Sequence, residues 1–260
     1  MRTTDSAVLV EVSDGVAIVR MNRPEAMNAI EAGMRSALTQ CLAELDAADG
    51  VEAIVLTGSG QRAFCSGQDL GEAATIDTGN LVDWLNRQHA MYQAIRDVNK
   101  PMVAAINGTA MGGGFQMALM CDFRMAHRAL RMGQPEVKVG LASIVGSYLM
   151  SLQIGHSLNQ QLSLTGEALS GERAHQLGLV NDLVSSDAVL PHSIDRARSL
   201  AALPGTALRT TKQRFRELTQ PGFDEACRAG IRYQLECYSS GEPQQIMRGF
   251  MAKRATARSA

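Results

Sequence analysis

Residues 7–12 (AVLVEV) and 16–21 (VAIVRM) are two β-branched runs separated by Ser13-Asp14-Gly15, which predicts a β-hairpin. Pro24 ends the second run, because proline has no N–H to give to a ladder. Ile30, Met34, Leu38, Leu42 and Leu45 then recur at helical spacing and predict a helix over 29–46. Residues 53–57 (AIVLT) and 102–106 (MVAAI) are continuous apolar runs, the pattern of strands buried on both faces. Between them lie a polar loop at 61–71 and a second helix over 80–97, stopped by Lys100-Pro101. A short helix over 115–120 and a strand over 121–126 follow. This alternation predicts an α/β fold of helix-covered sheets. Beyond residue 185 only helices are expected, over 187–203, 206–219, 223–239 and 243–253, punctuated by Pro191, Pro204, Pro221 and Pro243. No internal repeat of solenoid length is present.

The 260 residues carry 25 Lys plus Arg against 26 Asp plus Glu, a net charge of −1, which argues against a nucleic-acid binder. Five cysteines (Cys41, Cys65, Cys121, Cys227, Cys237) form no CxxC pair, so free thiols in a reducing compartment, the cytoplasm, are expected. The chain shows no signal-peptide pattern at its start and no apolar run of membrane-spanning length. The histidines (His89, His127, His156, His175, His192) lack metal-ligand spacing and read as surface or helix-face residues; no metal site is expected. No dinucleotide fingerprint, phosphate-loop Gly-Lys-Ser/Thr or Gly-x-Ser-x-Gly elbow is present.

Two loops carry the candidate chemistry. Phe64-Cys65-Ser66-Gly67-Gln68-Asp69-Leu70 and Asn107 to Gln116, with Gly112-Gly113-Gly114 at its centre, each follow a buried strand. Glycines let backbone approach a ligand, and a helix N-terminus leaves N–H donors unpaired. Two such loops on adjacent strands can aim two N–H groups at one oxygen, an oxyanion hole. Tight turns and close strand–helix packing explain the glycines equally well when either loop is taken alone.

With these loops in view, the chain resembles the crotonase superfamily, the enoyl-CoA hydratase/isomerase family, over nearly its full length. The likeness is carried by Met21-Asn22-Arg23-Pro24 with Asn28-Ala29, Ile54 to Gly58, Arg62 to Leu70, Lys100-Pro101 through Gly114, and Cys121-Asp122. Gln134-Pro135-Glu136, Leu164-Thr165-Gly166, Ala174 to Val180 and Phe250 to Arg254 extend it. The resemblance implies a spiral of ββα units over 1–195 and a C-terminal helical region over 196–260 that builds a homotrimer, often paired into a hexamer. It implies acyl-CoA thioesters as substrates, with CoA part of the substrate and no separate cofactor. The backbone N–H groups of Gln68 and Gly113 match the oxyanion donors. Arg23, Arg62 and Ser66 match CoA-contacting positions, and Phe250 and Lys253 match residues that reach a neighbouring subunit's CoA.

Hydratases of this family carry two glutamates. Glu136 matches the second, and Gln116 stands where the first belongs. Glutamine has nearly the shape of glutamate but exchanges no proton near neutral pH. One carboxylate suffices to take a proton from C2 of a 3-enoyl thioester and return it at C4, so isomerisation is favoured over hydration. A modified hydratase, a thioester hydrolase or decarboxylase, and a non-catalytic acyl-CoA binder are the alternatives. The Clp proteases, which share the fold family, need a serine at the helix start, where Phe115 and Gln116 stand. Glu136, after Pro135 at a helix start, also suits a purely dipole-stabilising role. The run Val139 to Gly146 departs from the family's Pro-Gly-Ala-Gly-Gly loop, which points to an unusual acyl pocket. Ser143 in it reads as a helix N-cap, Asp69 as a cap of the oxyanion loop, and Cys65 as a packing residue.

Overall fold

The computed structural model describes residues 6–259, with side chains described through residue 252. Strands β1 (Val8–Ser13) and β2 (Val16–Met21) form the expected antiparallel hairpin. Helix α1 (Ala32–Ala47) is capped by Glu31, whose carboxylate accepts from the Gly33 and Met34 N–H groups. Then come β3 (Ala53–Gly58), β4 (Ala63–Cys65), α2 (Leu70–Ala73) and α3 (Leu81–Asp97). Next are β5 (Met102–Ile106), β6 (Thr109–Met111) and α4 (Gly113–Met120). β7 (Phe123–His127) and β8 (Arg131–Gly133) lead into a 3-10 turn, Glu136–Val139. The rest is α5 (Val145–Ser151), α6 (His156–Thr165), β9 (Ala168–Ser170), α7 (Gly171–Gln176) and β10 (Asp182–Val184). Helices α8 (Val189–Ala201), α9 (Gly205–Ser240) and α10 (Glu242–Ser259) end the chain.

The larger sheet has the order β1-β2-β3-β5-β7-β10, parallel from β2 onward. Side chains alternate faces along a strand, and here both faces are buried. Val19, Met21, Ile54, Leu56, Ala104 and Ile106 join the main core with α1 and α3. Their neighbours Val55, Val103 and Ala105 pack on the other side against Val189 and Ala197 of α8. The expected division at 195/196 thus falls within α8, a helix that covers the sheet.

In the smaller sheet, β4-β6-β8-β9, the strands β4 and β6 lie in segments read as loops, and β8 and β9 where no element is expected. Strands of three residues leave no period to detect; Ala63–Cys65 sits inside the supposed polar loop yet is fully buried. β3 feeds β4, β5 feeds β6 and β7 feeds β8, so one supersecondary unit recurs without sequence repetition. Helices 206–219 and 223–239 are a single helix, with Pro221 inside α9. The turn around that proline is braced from outside. Tyr148 donates its hydroxyl to the Thr219 carbonyl at 2.6 Å, and Arg96 reaches Thr219 Oγ1 and Gln220 Oε1. Pro191 likewise lies within the first turn of α8, where its missing N–H breaks no bond.

One close approach joins the units. A Cβ on Gly114 would lie 2.1 Å from the Cys65 carbonyl oxygen, a backbone atom that cannot swing aside. Gly114→Ala is therefore expected to lower stability by about 1–3 kcal/mol through overpacking. Thermal unfolding at fixed pH checks this, and an unchanged melting point would show that β4 and α4 separate without loss.

Candidate active site

The carboxyl ends of β4, β6 and β8 open into a cavity of about 830 Å³. After β4, Gly67 takes φ +95°, a backbone form that favours glycine. Ile30 donates its N–H to the Gly67 carbonyl at 2.8 Å, and Asp69 donates to the Ile30 carbonyl at 2.9 Å. Peptide groups of extended chain alternate sides, so this pairing turns the Gln68 N–H the other way. Gly113 is the first residue of α4 and has no intrahelical acceptor. Among the described residues no protein group accepts from either N–H. The two loops touch: a Cβ on Gly67 would lie 3.3 Å from the Gly113 nitrogen. Gln68 and Gly113 both line the cavity, so the two residues border one space.

The side chains around them hold this backbone still. Buried Arg35 donates to Gln68 Oε1 at 2.9 Å, pairs with Glu72, and lies over the Trp84 ring. Asp69 Oδ1 accepts from the Gly71 and Glu72 N–H groups and caps α2, as expected. Its Oδ2 accepts from Arg23 Nη1 at 3.0 Å, and the same nitrogen donates to the Ala29 carbonyl. Arg23 is thereby tied to the loop and does not line the cavity, whereas Arg62 and Ser66 do. Burial pushes the Cys65 thiol up to about 12, so it is a packing residue with no thiolate at neutral pH. Tyr92 is buried beneath Gly113, where a Cβ would come within 2.9 Å of its hydroxyl.

Glu136 enters from the third strand, at the start of the 3-10 turn after β8. A Cβ on Gly112 would lie 3.1 Å from Glu136 Oε1, so the carboxylate stands against the glycine loop. Burial lifts its pKa from 4.5 to about 7, opposed in part by hydrogen bonds from its own backbone amide and Gln116. Gln116 Nε2 donates to Glu136 Oε1 at 3.2 Å, and Gln116 Oε1 is buried without a partner.

Gln134, quoted in the sequence only as part of a motif, is the residue most easily missed. It is buried, and its amide packs so closely on Gly146 that a Cβ there would meet it at 2.4 Å. The hydrogen-bond network turns Gln134 Nε2 toward Glu136, 2.7 Å from both carboxylate oxygens.

One expectation changes, and the structure places the remaining residues. Ser143 does not cap α5; Ile144 holds the cap position without a side-chain bond, and Ser143 Oγ is buried and unpartnered. A hydroxyl two residues before the first helical residue is out of capping register. Phe250 lines the cavity of its own chain, where α10 packs against α2. Lys253 lies on α10 with its side chain outside the described residues. His89, read as a surface or helix-face residue, is on a helix face but lines the cavity, and burial holds its pKa down at about 4. Among the described residues no group of three or more His, Cys, Asp or Glu could hold a metal ion.

Comparisons with known proteins agree with this architecture. The family model described as enoyl-CoA hydratase/isomerase matches residues 11–257. A protein from Rhizobium meliloti named probable enoyl-CoA hydratase is 32% identical, over 95% of each chain. A Thauera aromatica protein named (E)-benzylidenesuccinyl-CoA hydratase is 34% identical, over 87% of each chain. The crystal structure of an enoyl-CoA hydratase/isomerase from Xanthobacter autotrophicus superimposes with a TM-score of 0.87 at 27% identity, covering 98% of this chain and 95% of that one.

The raised pKa of Glu136 has a sign that can be tested. Its folded-state value, about 7, lies above the ordinary 4.5, so the protonated form is favoured by folding and stability falls as pH rises from 4.5 to 7. Glu136→Gln removes this dependence, and its stability relative to wild type is expected to rise by up to ~3 kcal/mol between pH 4 and pH 8. Urea unfolding at the two pH values measures it. Gln134→Leu removes a donor to the carboxylate and is expected to shift the Glu136 midpoint upward, read from its carboxyl 13C resonance.

Proposed function

The chain belongs to the enoyl-CoA hydratase/isomerase family, and we propose that it moves the double bond of a 3-enoyl-CoA thioester into conjugation through an enolate. The observation that carries this reading is one half-buried carboxylate faced by two amides, Gln116 and Gln134, in place of a second carboxylate. Ionised Glu136 takes the proton from C2, and the C–H electron pair moves into the thioester. Negative charge builds on the carbonyl oxygen, held by the N–H groups of Gln68 and Gly113. One such donor is worth roughly 3–4 kcal/mol. The same carboxyl returns its proton to C4 as the new C2=C3 bond forms. Because its pKa lies near 7, Glu136 gives and takes a proton with little penalty at neutral pH.

Arg62 and Ser66, which line the cavity together with Phe250 of α10, are proposed to receive the CoA moiety. Arg23 contributes by orienting Asp69 and its loop. Phe215 and Leu218 are exposed on α9 and supply an apolar face suited to a homotrimer or a pair of trimers. The five free cysteines fit the cytoplasm as the working compartment. A second reading, hydration of a 2-enoyl-CoA, is favoured by relatives named hydratases and by Gln116 Oε1, an unpaired acceptor able to hold a water.

Assaying a 3-enoyl-CoA and a 2-enoyl-CoA side by side separates the two readings. Conversion of the 3-enoyl ester alone is expected, with faster hydration of the 2-enoyl ester overturning the proposal. Glu136→Gln is expected to retain CoA-ester affinity and lose about 10²- to 10⁴-fold in turnover. A protein that only binds acyl-CoA would have no turnover to lose.

A further inference from the structure

Beyond the reacting carbons the cavity runs between α3 and α9. Gly230, Gln234 and Tyr238 recur every four residues on one face of α9 and all line it, with His89 on α3 opposite. A Cβ on Gly230 would lie 4.0 Å from His89 Nε2 and 3.6 Å from Val145 Cγ2, so the imidazole faces α9 where glycine leaves room for no more than a methyl group. Gln234 Nε2 donates to the Ala142 carbonyl at 2.8 Å, which fixes which end of that amide is which. Its Oε1 is buried and has no partner. His89 has no hydrogen bond among the described residues, and burial alone accounts for its lowered pKa. At neutral pH it is an uncharged ring with one donor and one acceptor.

Unpaired polar groups in an apolar enclosure lose free energy unless a ligand satisfies them. We infer that Gln234 and His89 form a specificity pocket for an acyl group that ends in a hydroxyl, an inference that rests on the acyl-CoA reading above. Gln234 Oε1 requires a donor, which a carboxylate, a ketone or a methyl group cannot be. An ammonium group would be buried beside a neutral ring and an amide, without a counter-charge. A hydroxyl donates to Gln234 and accepts from His89. Tyr92, whose hydroxyl lies beside Gly113, is three residues from His89, roughly 4.5 Å along the helix axis. The chain between thioester and hydroxyl is therefore short.

Calorimetry with two unreactive esters, 6-hydroxyhexanoyl-CoA and its methyl isostere heptanoyl-CoA, tests this on the full-length protein. Wild type is expected to bind the hydroxylated ester more tightly. Gln234→Leu and His89→Phe are each expected to cut that preference about tenfold, the scale of one lost hydrogen bond. Tighter binding of heptanoyl-CoA by wild type, or an unchanged ratio in both variants, would overturn the inference while leaving the acyl-CoA reading intact. If neither ester binds, the acyl-CoA reading falls and this inference falls with it.

Discussion

The site depends on how closely two stretches of backbone approach one another. Gly114 leaves no room for a side chain against the Cys65 carbonyl, and Gly67 leaves little against Met111. Only at that separation do β4 and β6 pair and place the loops after them in contact. The two free N–H donors follow from chain direction, since both strands are parallel and both end at the cavity. Each donor is free for its own reason, Gln68 because its neighbours hold Ile30, Gly113 because it begins a helix. Neither depends on the identity of a side chain, and their alignment is set by packing before any ligand arrives.

Glu136 sits under a different constraint. Among the described residues no cation is paired with it; amides and its own backbone are its hydrogen-bond partners. A lysine or arginine there would pull its pKa down and make it a poor proton acceptor. Amides keep it oriented while burial raises its basicity. The folded protein gives up some stability at neutral pH to hold this carboxylate where it is poorly solvated, a trade often found at functional sites. An acyl chain filling the cavity removes more water and moves the balance further the same way.

The long buried strands were legible because burial on both faces leaves runs of five or six apolar residues. The glycine loops were legible because backbone that approaches backbone permits little else. Strands β4, β6 and β8 were hidden by their length, though they position the site; three residues such as Ala63-Phe64-Cys65 carry no periodicity. Glu136 was legible by motif, but Gln134 and Arg35 were not singled out, because Gln134 is held in place by its packing on Gly146 and Arg35 acts on Gln68, 33 positions away. Pro221 misled because local rules break a helix there, while Tyr148, Arg96 and Gln93 brace it from other elements. The path of α10, which returns Phe250 to its own chain's cavity, is likewise a matter of tertiary packing and leaves no local mark.

These differences sort by location. Everything that would stabilise an enolate comes from the ends of short parallel strands, where register and close packing leave few alternatives. The wall that would meet the acyl chain comes from α3, α5, α9 and α10, helices joined to that centre mainly through side chains. A change such as Gly230 to a larger residue alters the cavity without moving Gln68 or Gly113, whereas Gly114 tolerates nothing larger. Reaction type and substrate range are thus under separate structural control. Helices contributing single residues to the far wall can vary the substrate while the strand ends keep the chemistry, which is how one backbone arrangement can serve many thioesters.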